Sequence, residues 1–290
     1  MASKNNAKTK KNPHDLKNLL AYPAKIRCSV SAKSDPKKPQ VRFITHEERA
    51  GLGDLPDFYK GDPGETTLLT QGFLVGLGEL KKLDAEIFAD TIAAALQKAA
   101  AKLESYDILI ARETYEKVGL RAALKLLAVA QGNAEFPSDL LKAEKNRKKV
   151  KVKETRVIVP ANFLTVAETI MASALVEARH VNAMRQTQAL PGNYLTPQTM
   201  NERAGAVAKM FSLRMKSYGM KELQQMGAGG IIAVAQGSAR EPRFIVLEYR
   251  HAQAKKTLGL VGKARPDTPA IWDYAAMAKE GSMLNTPPTF

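Results

Sequence analysis

Phe88, Ile92, Leu96, Ala99 and Leu103 recur at spacings of four, four, three and four. That spacing predicts a helix with one apolar stripe. Short apolar runs flank it: Gly72–Gly78 (GFLVGLG), bounded by glycines, and Tyr106–Ala111 (YDILIA). A run of this length that is apolar throughout reads as a strand of a parallel sheet, covered on both faces. Strand, helix and strand in succession constrain the chain to an α/β fold with a largely parallel sheet.

The pattern continues on both sides. Ile26, Cys28 and Val30 alternate with polar residues, and Val41, Phe43 and Thr45 repeat the alternation, so two more strands are expected. Residues 51–66, rich in Gly, Asp and Pro, read as a loop. Residues 113–131 are helical by pattern, and 151–159 (KVKETRVIV) form a strand ending at Pro160. A long helix is expected over 163–185. Thr196 before Pro197 fits an N-cap with proline at the first helical position. That helix is expected to run to about Tyr218, with Gly219 at its C′ position. Three apolar runs then follow, Ile231–Val234, Phe244–Tyr249 and Leu258–Val261, which read as strands of one sheet. The basic segment and Pro160 place a domain boundary near residue 160. No internal repeat stands out.

Composition narrows the class. Hydrophobic residues are 44% of the 290, enough for a core, so wholesale disorder is excluded. No run of 18 apolar residues predicts a membrane span, and the N-terminus has no apolar signal core, so a cytoplasmic protein is expected. One cysteine, Cys28, excludes an intrachain disulfide. The net charge of +15 is concentrated. Residues 1–40 carry a net +8 and residues 142–156 a net +6. Residues 1–18 read as a disordered basic tail. Lys145, Arg147, Lys148, Lys149, Lys151 and Lys153 are candidate contacts to nucleic-acid phosphates. The competing reading is a lysine-guarded loop or strand edge. No aromatic residue interleaves these lysines, so no base-stacking platform is expected.

Other motifs fall short of chemistry. His46-Glu47-Glu48-Arg49-Ala50 lacks the second histidine of a zinc helix. His14, His46, His180 and His251 show no ligand spacing. Gly76-Leu77-Gly78 lacks the third glycine of a dinucleotide fingerprint, and Gly227–Gly230 precedes an expected strand, whereas a phosphate loop follows one. Gly262-Lys263 would need Gly at 257 and Ser or Thr at 264 for a P-loop, and the chain has Thr257 and Ala264. These glycines read as turns and close packing. Arg240 and Arg243 make a small polar patch in which Glu248 is a candidate ion-pair partner.

Leu190–Pro197 (LPGNYLTP) and residues 226–249 (MGAGGIIAVAQGSAREPRFIVLEY) resemble segments of the M17 leucyl aminopeptidases. Thr257–Lys263 (TLGLVGK) resembles that family's strand leading into its first metal ligand. Phe73–Leu80 and the helix over 84–104 match more loosely. The resemblance spans roughly 20–263 and is specific over 190–263. It implies a small N-terminal α/β, macro-like domain (19–160), then the first part of an α/β catalytic domain (161–263). It also implies two divalent metals, zinc or manganese, that activate water to release N-terminal residues, often leucine, from peptides. Hexameric assembly is a family property. Lys263 falls at the position of the ligand lysine. The next ligand, an aspartate, should stand at 268, where the chain has Thr268. The family's later carboxylates, second lysine and arginine have no counterpart. The expectation is therefore a truncated catalytic domain with an incomplete metal site, no bound cofactor and no hydrolysis. Its partners would be a second copy, full-length aminopeptidase subunits or DNA. A strand at 257–262 without sheet neighbours would be an exposed apolar edge, prone to association.

Residues 264–290 differ. Gly281–Phe290 (GSMLNTPPTF) resembles an internal segment of phosphoserine aminotransferases, in which Asn285 and Thr286 are implied to touch a neighbouring subunit's pyridoxal phosphate. The lysine region of that family is missing, so no transaminase activity is expected. A short helix over 270–279 and a loose tail are expected, and the simplest account is a chimera joined near Lys263.

Overall fold

The structure is a computed structural model that describes residues 23–262, except 53–54, 71, 137–138, 140, 143 and 148–149. The expected basic tail, the helix over 270–279, Lys148, Lys149, Lys263, Asn285 and Thr286 lie outside the described residues. The chain divides into two compact units between Arg185 and Gln186. Residue 160, where the sequence suggested a boundary, lies one short 3-10 turn (Ala161–Phe163) before the long helix in which this division falls.

The first unit holds one six-stranded sheet. Its strands are β1 (Cys28–Ser31), β2 (Gln40–Ile44), β3 (Thr66–Leu69), β4 (Gly72–Gly76), β5 (Ser105–Ile110) and β6 (Glu154–Ile158), in the order β1-β6-β5-β2-β4-β3. Every pairing is parallel except the β3–β4 hairpin at one edge. The helices are α1 (His46–Arg49), α2 (Ala85–Lys102), α3 (Arg112–Val118), α4 (Leu120–Glu135) and α5 (Leu164–Gln188).

Period-two alternation sorts the sheet's residues. Val41, Phe43, Phe73, Val75, Tyr106, Ile108 and Val157 share one face and join the main core with Phe88, Ile92 and Leu96 of α2 and Leu124 and Leu127 of α4. Burying each of those α2 side chains contributes about 1.5–3 kcal/mol. The Asp84 side chain caps α2 by accepting from the Glu86 and Ile87 N–H groups. Lys125–Glu177 (2.9 Å) and an Asn182 amide donating to the Gly132 carbonyl (2.8 Å) tie α5 to α4.

The other face carries a small cluster of Ile44, Leu74 and Tyr59, and one buried ion pair. Asp107, fully buried, accepts from Arg156 Nε (2.9 Å), Arg156 Nη2 (2.8 Å) and the Asp35 N–H (2.9 Å). The loop below Tyr59 is held by Glu65, whose carboxylate accepts from the N–H groups of Lys60, Gly61 and Asp62.

Several expectations are corrected. The helix expected over 113–131 is two helices, broken at Gly119, whose φ of 89° is accessible to glycine and costly for other residues. In the second unit, α6 (Pro197–Met210) stops well before Tyr218. Ser212 adopts a positive φ of 53°, and residues 214–218 become a strand, β7 (Arg214–Tyr218). Gly219 is therefore the N-cap of α7 (Met220–Gln225), not a helix C′ residue. Ile231–Val234 lies in a helix, α8 (Gly229–Ala235), so the glycines before it lead into a helix and not a strand. β8 (Phe244–Glu248) is antiparallel to β7, and Leu258–Val261 is in no regular element. A four-residue apolar run suits a strand and a helix equally, and only its partners decide.

Candidate functional site

The loop 190–196 and the β7–β8 sheet carry the sequence's most specific motifs. The Pro191 carbonyl accepts from the Tyr194 and Leu195 N–H groups, closing a turn. Thr196 and Thr199 cap α6 reciprocally: Thr199 N–H donates to Thr196 Oγ1 (3.1 Å) and Thr196 N–H to Thr199 Oγ1 (2.7 Å). Arg240 Nη1 donates to the Gly192 carbonyl (2.9 Å), fastening the turn after α8 to this loop. Arg243 pairs with Glu241 (2.7 Å), and Glu241 accepts from the Met220 N–H (3.0 Å).

The partner expected for Glu248 is corrected as well. It pairs with Arg250 (2.7 Å), and neither Arg240 nor Arg243 is among its hydrogen-bond partners. That bond holds the Glu248 carboxyl below its ordinary range. Hydrogen bonds from backbone N–H groups, its own and that of Gly219, do the same for Glu222.

The titratable groups of the first unit serve structure. His46 Nε2 lies 3.2 Å from Asp62 Oδ1. Burial pushes the Cys28 thiol up to about 12, with Thr155 opposing and Glu135 assisting, which favours the protonated thiol at neutral pH. Burial also raises Glu135, against bonds from Gln131 and from the Arg27 N–H. Tyr106 O–H donates to Gln131 Oε1 (2.8 Å), and Gln131 Nε2 to Glu135 Oε1 (2.9 Å), so a polar chain crosses from β5 through α4 to the start of β1.

The basic segment is partly neutralised. Lys153 pairs with Glu104 (2.8 Å), Arg156 with Asp107, and Lys38 with Glu154 (3.0 Å). Arg147 Nε donates to the Lys142 carbonyl (2.8 Å). Lys145 and Lys151 are exposed.

Sequence reasoning missed Asp107, Glu65 and Gln131 as organisers of the fold. Asp107 had a legible signal, a carboxylate inside the apolar run YDILIA.

Residues 182–264 match the family model for the catalytic domain of the cytosol aminopeptidase family. A "Probable cytosol aminopeptidase" of Roseiflexus castenholzii is 35% identical over 196 residues, which is 66% of this chain and 39% of the relative. One of Alkalilimnicola ehrlichii is 27% identical over 269 residues, 86% of this chain and 54% of the relative. The chain belongs to the cytosol aminopeptidase family. Among solved structures, the bottromycin maturation enzyme BotP superposes with a TM-score of 0.58 at 19% identity. That match covers 73% of this chain and 46% of BotP, and it bears on the fold. The chain thus spans about half, or less, of the length of these relatives.

The family relies on divalent metals, so the donor set here matters. Among the described residues no group of three or more His, Cys, Asp or Glu converges. Within 190–262 the carboxylates and the imidazole are engaged nearby: Glu202 by Gln198, Glu222 by Gly219, Glu241 by Arg243, Glu248 by Arg250 and His251 by Gln253. These donors do not fit a two-metal centre. Lys263, at the family's ligand position, adjoins the last described residue. No described helix is long and apolar enough to cross a membrane.

Proposed function

We propose that this chain is the N-terminal portion of a metal-dependent leucyl aminopeptidase, and that these 290 residues do not by themselves hydrolyse peptides. The role of this portion is scaffolding. It supplies the six-stranded domain and then the capped loop and β7–β8 sheet that lead to Lys263. The observation that carries the reading is a contrast within 182–262. This stretch matches a catalytic domain, yet its described carboxylates are held by local hydrogen bonds and do not converge. The sequence after Lys263 also lacks the aspartate expected at 268. The metals supply water activation in the complete enzyme, and no step of that chemistry is assigned to the residues described here.

The test is hydrolysis of leucine p-nitroanilide by the purified chain with added manganese or zinc. The expected rate equals that of the metal-only blank. Hydrolysis that co-purifies with the chain and disappears with chelator would overturn the reading.

A further inference from the structure

In the turn before β3, successive backbone N–H groups converge on one oxygen. Lys60 (2.9 Å), Gly61 (2.8 Å) and Asp62 (3.1 Å) all donate to Glu65 Oε2. Gly61 has a φ of 87°. A left-handed residue within a run of N–H groups aimed at one centre makes an anion-binding concavity, the kind that holds phosphate. Here the chain's own carboxylate fills it.

The turn lies over the carboxyl ends of β2 and β4. Gly78 N–H donates to the Gly61 carbonyl (2.9 Å), and a Cβ on Gly76 would fall against the Gly61 backbone. Open α/β sheets present their ligand sites at this end of the strands. Two side chains of the His46-Glu47-Glu48-Arg49 segment flank the nest. The His46 ring and Arg49 Cδ come within 3.3 and 3.4 Å of where a Cβ on Gly61 would stand. Arg49 Nε donates to the Tyr59 carbonyl (2.8 Å), and the Asp62 carboxylate lies 3.2 Å from the His46 ring. Tyr59 is an independent sign of a ligand. Its side chain is fully buried, and its hydroxyl has no hydrogen-bond partner among the described residues. The charges of Glu65 and Arg49 both act on that hydroxyl. A buried hydroxyl without a partner is costly. A tetrahedral oxyanion in the nest brings more acceptors to it than a carboxylate does.

We propose that the turn Lys60–Asp62 is a binding site for a small tetrahedral oxyanion of the phosphate class, and that Glu65 is its built-in competitor. Carboxylate and oxyanion exclude each other, because the same N–H groups serve both. Glu65 is at most five residues from each donor. That tether gives it a high effective concentration and weakens the affinity of the wild-type chain for the free ion. The site lies wholly in the first unit and is independent of the reading of residues 182–262.

The experiment titrates the isotope-labelled full chain with inorganic phosphate at constant ionic strength and follows backbone amide resonances by NMR. In Glu65→Ala the Lys60, Gly61 and Asp62 amides are expected to move together and to saturate. In the wild-type chain the same amides are expected to need at least about tenfold more phosphate. Glu65→Gln leaves only a neutral acceptor in the nest, so its affinity should fall between the two. It also supplies the comparison if the alanine variant does not fold. Chloride at the same ionic strength should leave these amides in place. No saturable shift at Lys60, Gly61 and Asp62 in the variants, an affinity in the variants equal to that of the wild type, or the same response to chloride would each overturn the proposal.

Discussion

Removing the Asp107 carboxylate tests the accounting of the buried ion pair. In Asp107→Ala the Arg156 guanidinium loses both of its hydrogen bonds to that carboxylate, and the Asp35 N–H loses its acceptor. Breaking one side of a buried pair costs about 3–5 kcal/mol, because the remaining charge is left uncompensated. The Arg156 side chain is 23% exposed, so it can reach water, which places the cost near the lower end, at about 3 kcal/mol. For a domain of this size that corresponds to a fall of about 6–12 °C in Tm. Asp107→Asn keeps an acceptor for Asp35 and should lose less. Asp107→Leu with Arg156→Met removes both charges together and should recover most of the loss, to within about 1 kcal/mol of wild type. Urea unfolding followed by far-ultraviolet circular dichroism gives all three values. A loss below about 1 kcal/mol for Asp107→Ala, or a double variant as unstable as the single, would refute the reasoning.

Other expectations follow from the same geometry. Gly76→Ala places a Cβ against the Gly61 backbone, so it should destabilise by about 1–3 kcal/mol or more through overpacking, measured by urea midpoint. Gly119→Ala meets open space, so its cost of about 1–3 kcal/mol comes from the backbone alone, since φ 89° with ψ 124° lies outside the left-handed helical well and is open essentially to glycine. A Gly119→Ala variant with the urea midpoint of the wild type would contradict that reading. Cys28 gives a pH dependence. Its thiol titrates near about 8.5 when unfolded and is pushed up to about 12 when folded. Between those values the unfolded chain binds fewer protons than the folded one, so stability is full below the window and falls as pH rises through it. The alkaline loss should be smaller in Cys28→Ser, compared by urea midpoints at the two ends of the window, and an identical loss would show that the thiol is not buried as described.

The order of elements in the first unit was readable because each carries its own period. The stripe Phe88, Ile92, Leu96 needs a helix to bury it, and Phe73–Val75 needs a sheet covered on both faces. The break at Gly119 was not readable, because the apolar pattern runs through it and only the backbone dihedral marks it. In the second unit the signals were weaker. Arg214–Tyr218 continues the helical pattern of α6, and its strand conformation comes from pairing with residues about thirty positions later. The polar patch at Arg240 was legible, but its partner, the carbonyl of Gly192, was not, since a backbone acceptor leaves no mark in composition.

By itself the sequence determined the α/β class, the concentration of positive charge and, through LPGNYLTP and the stretch 226–249, the family. Those properties are local: a period, a count, a string of residues. The tertiary structure decided which apolar runs became strands and which carboxylates were occupied. A run such as Ile231–Val234 satisfies its backbone equally well as helix or strand, so its conformation is settled by what packs beside it. The same holds for β8, whose residues are apolar on both faces, and with which among the described residues only β7 pairs.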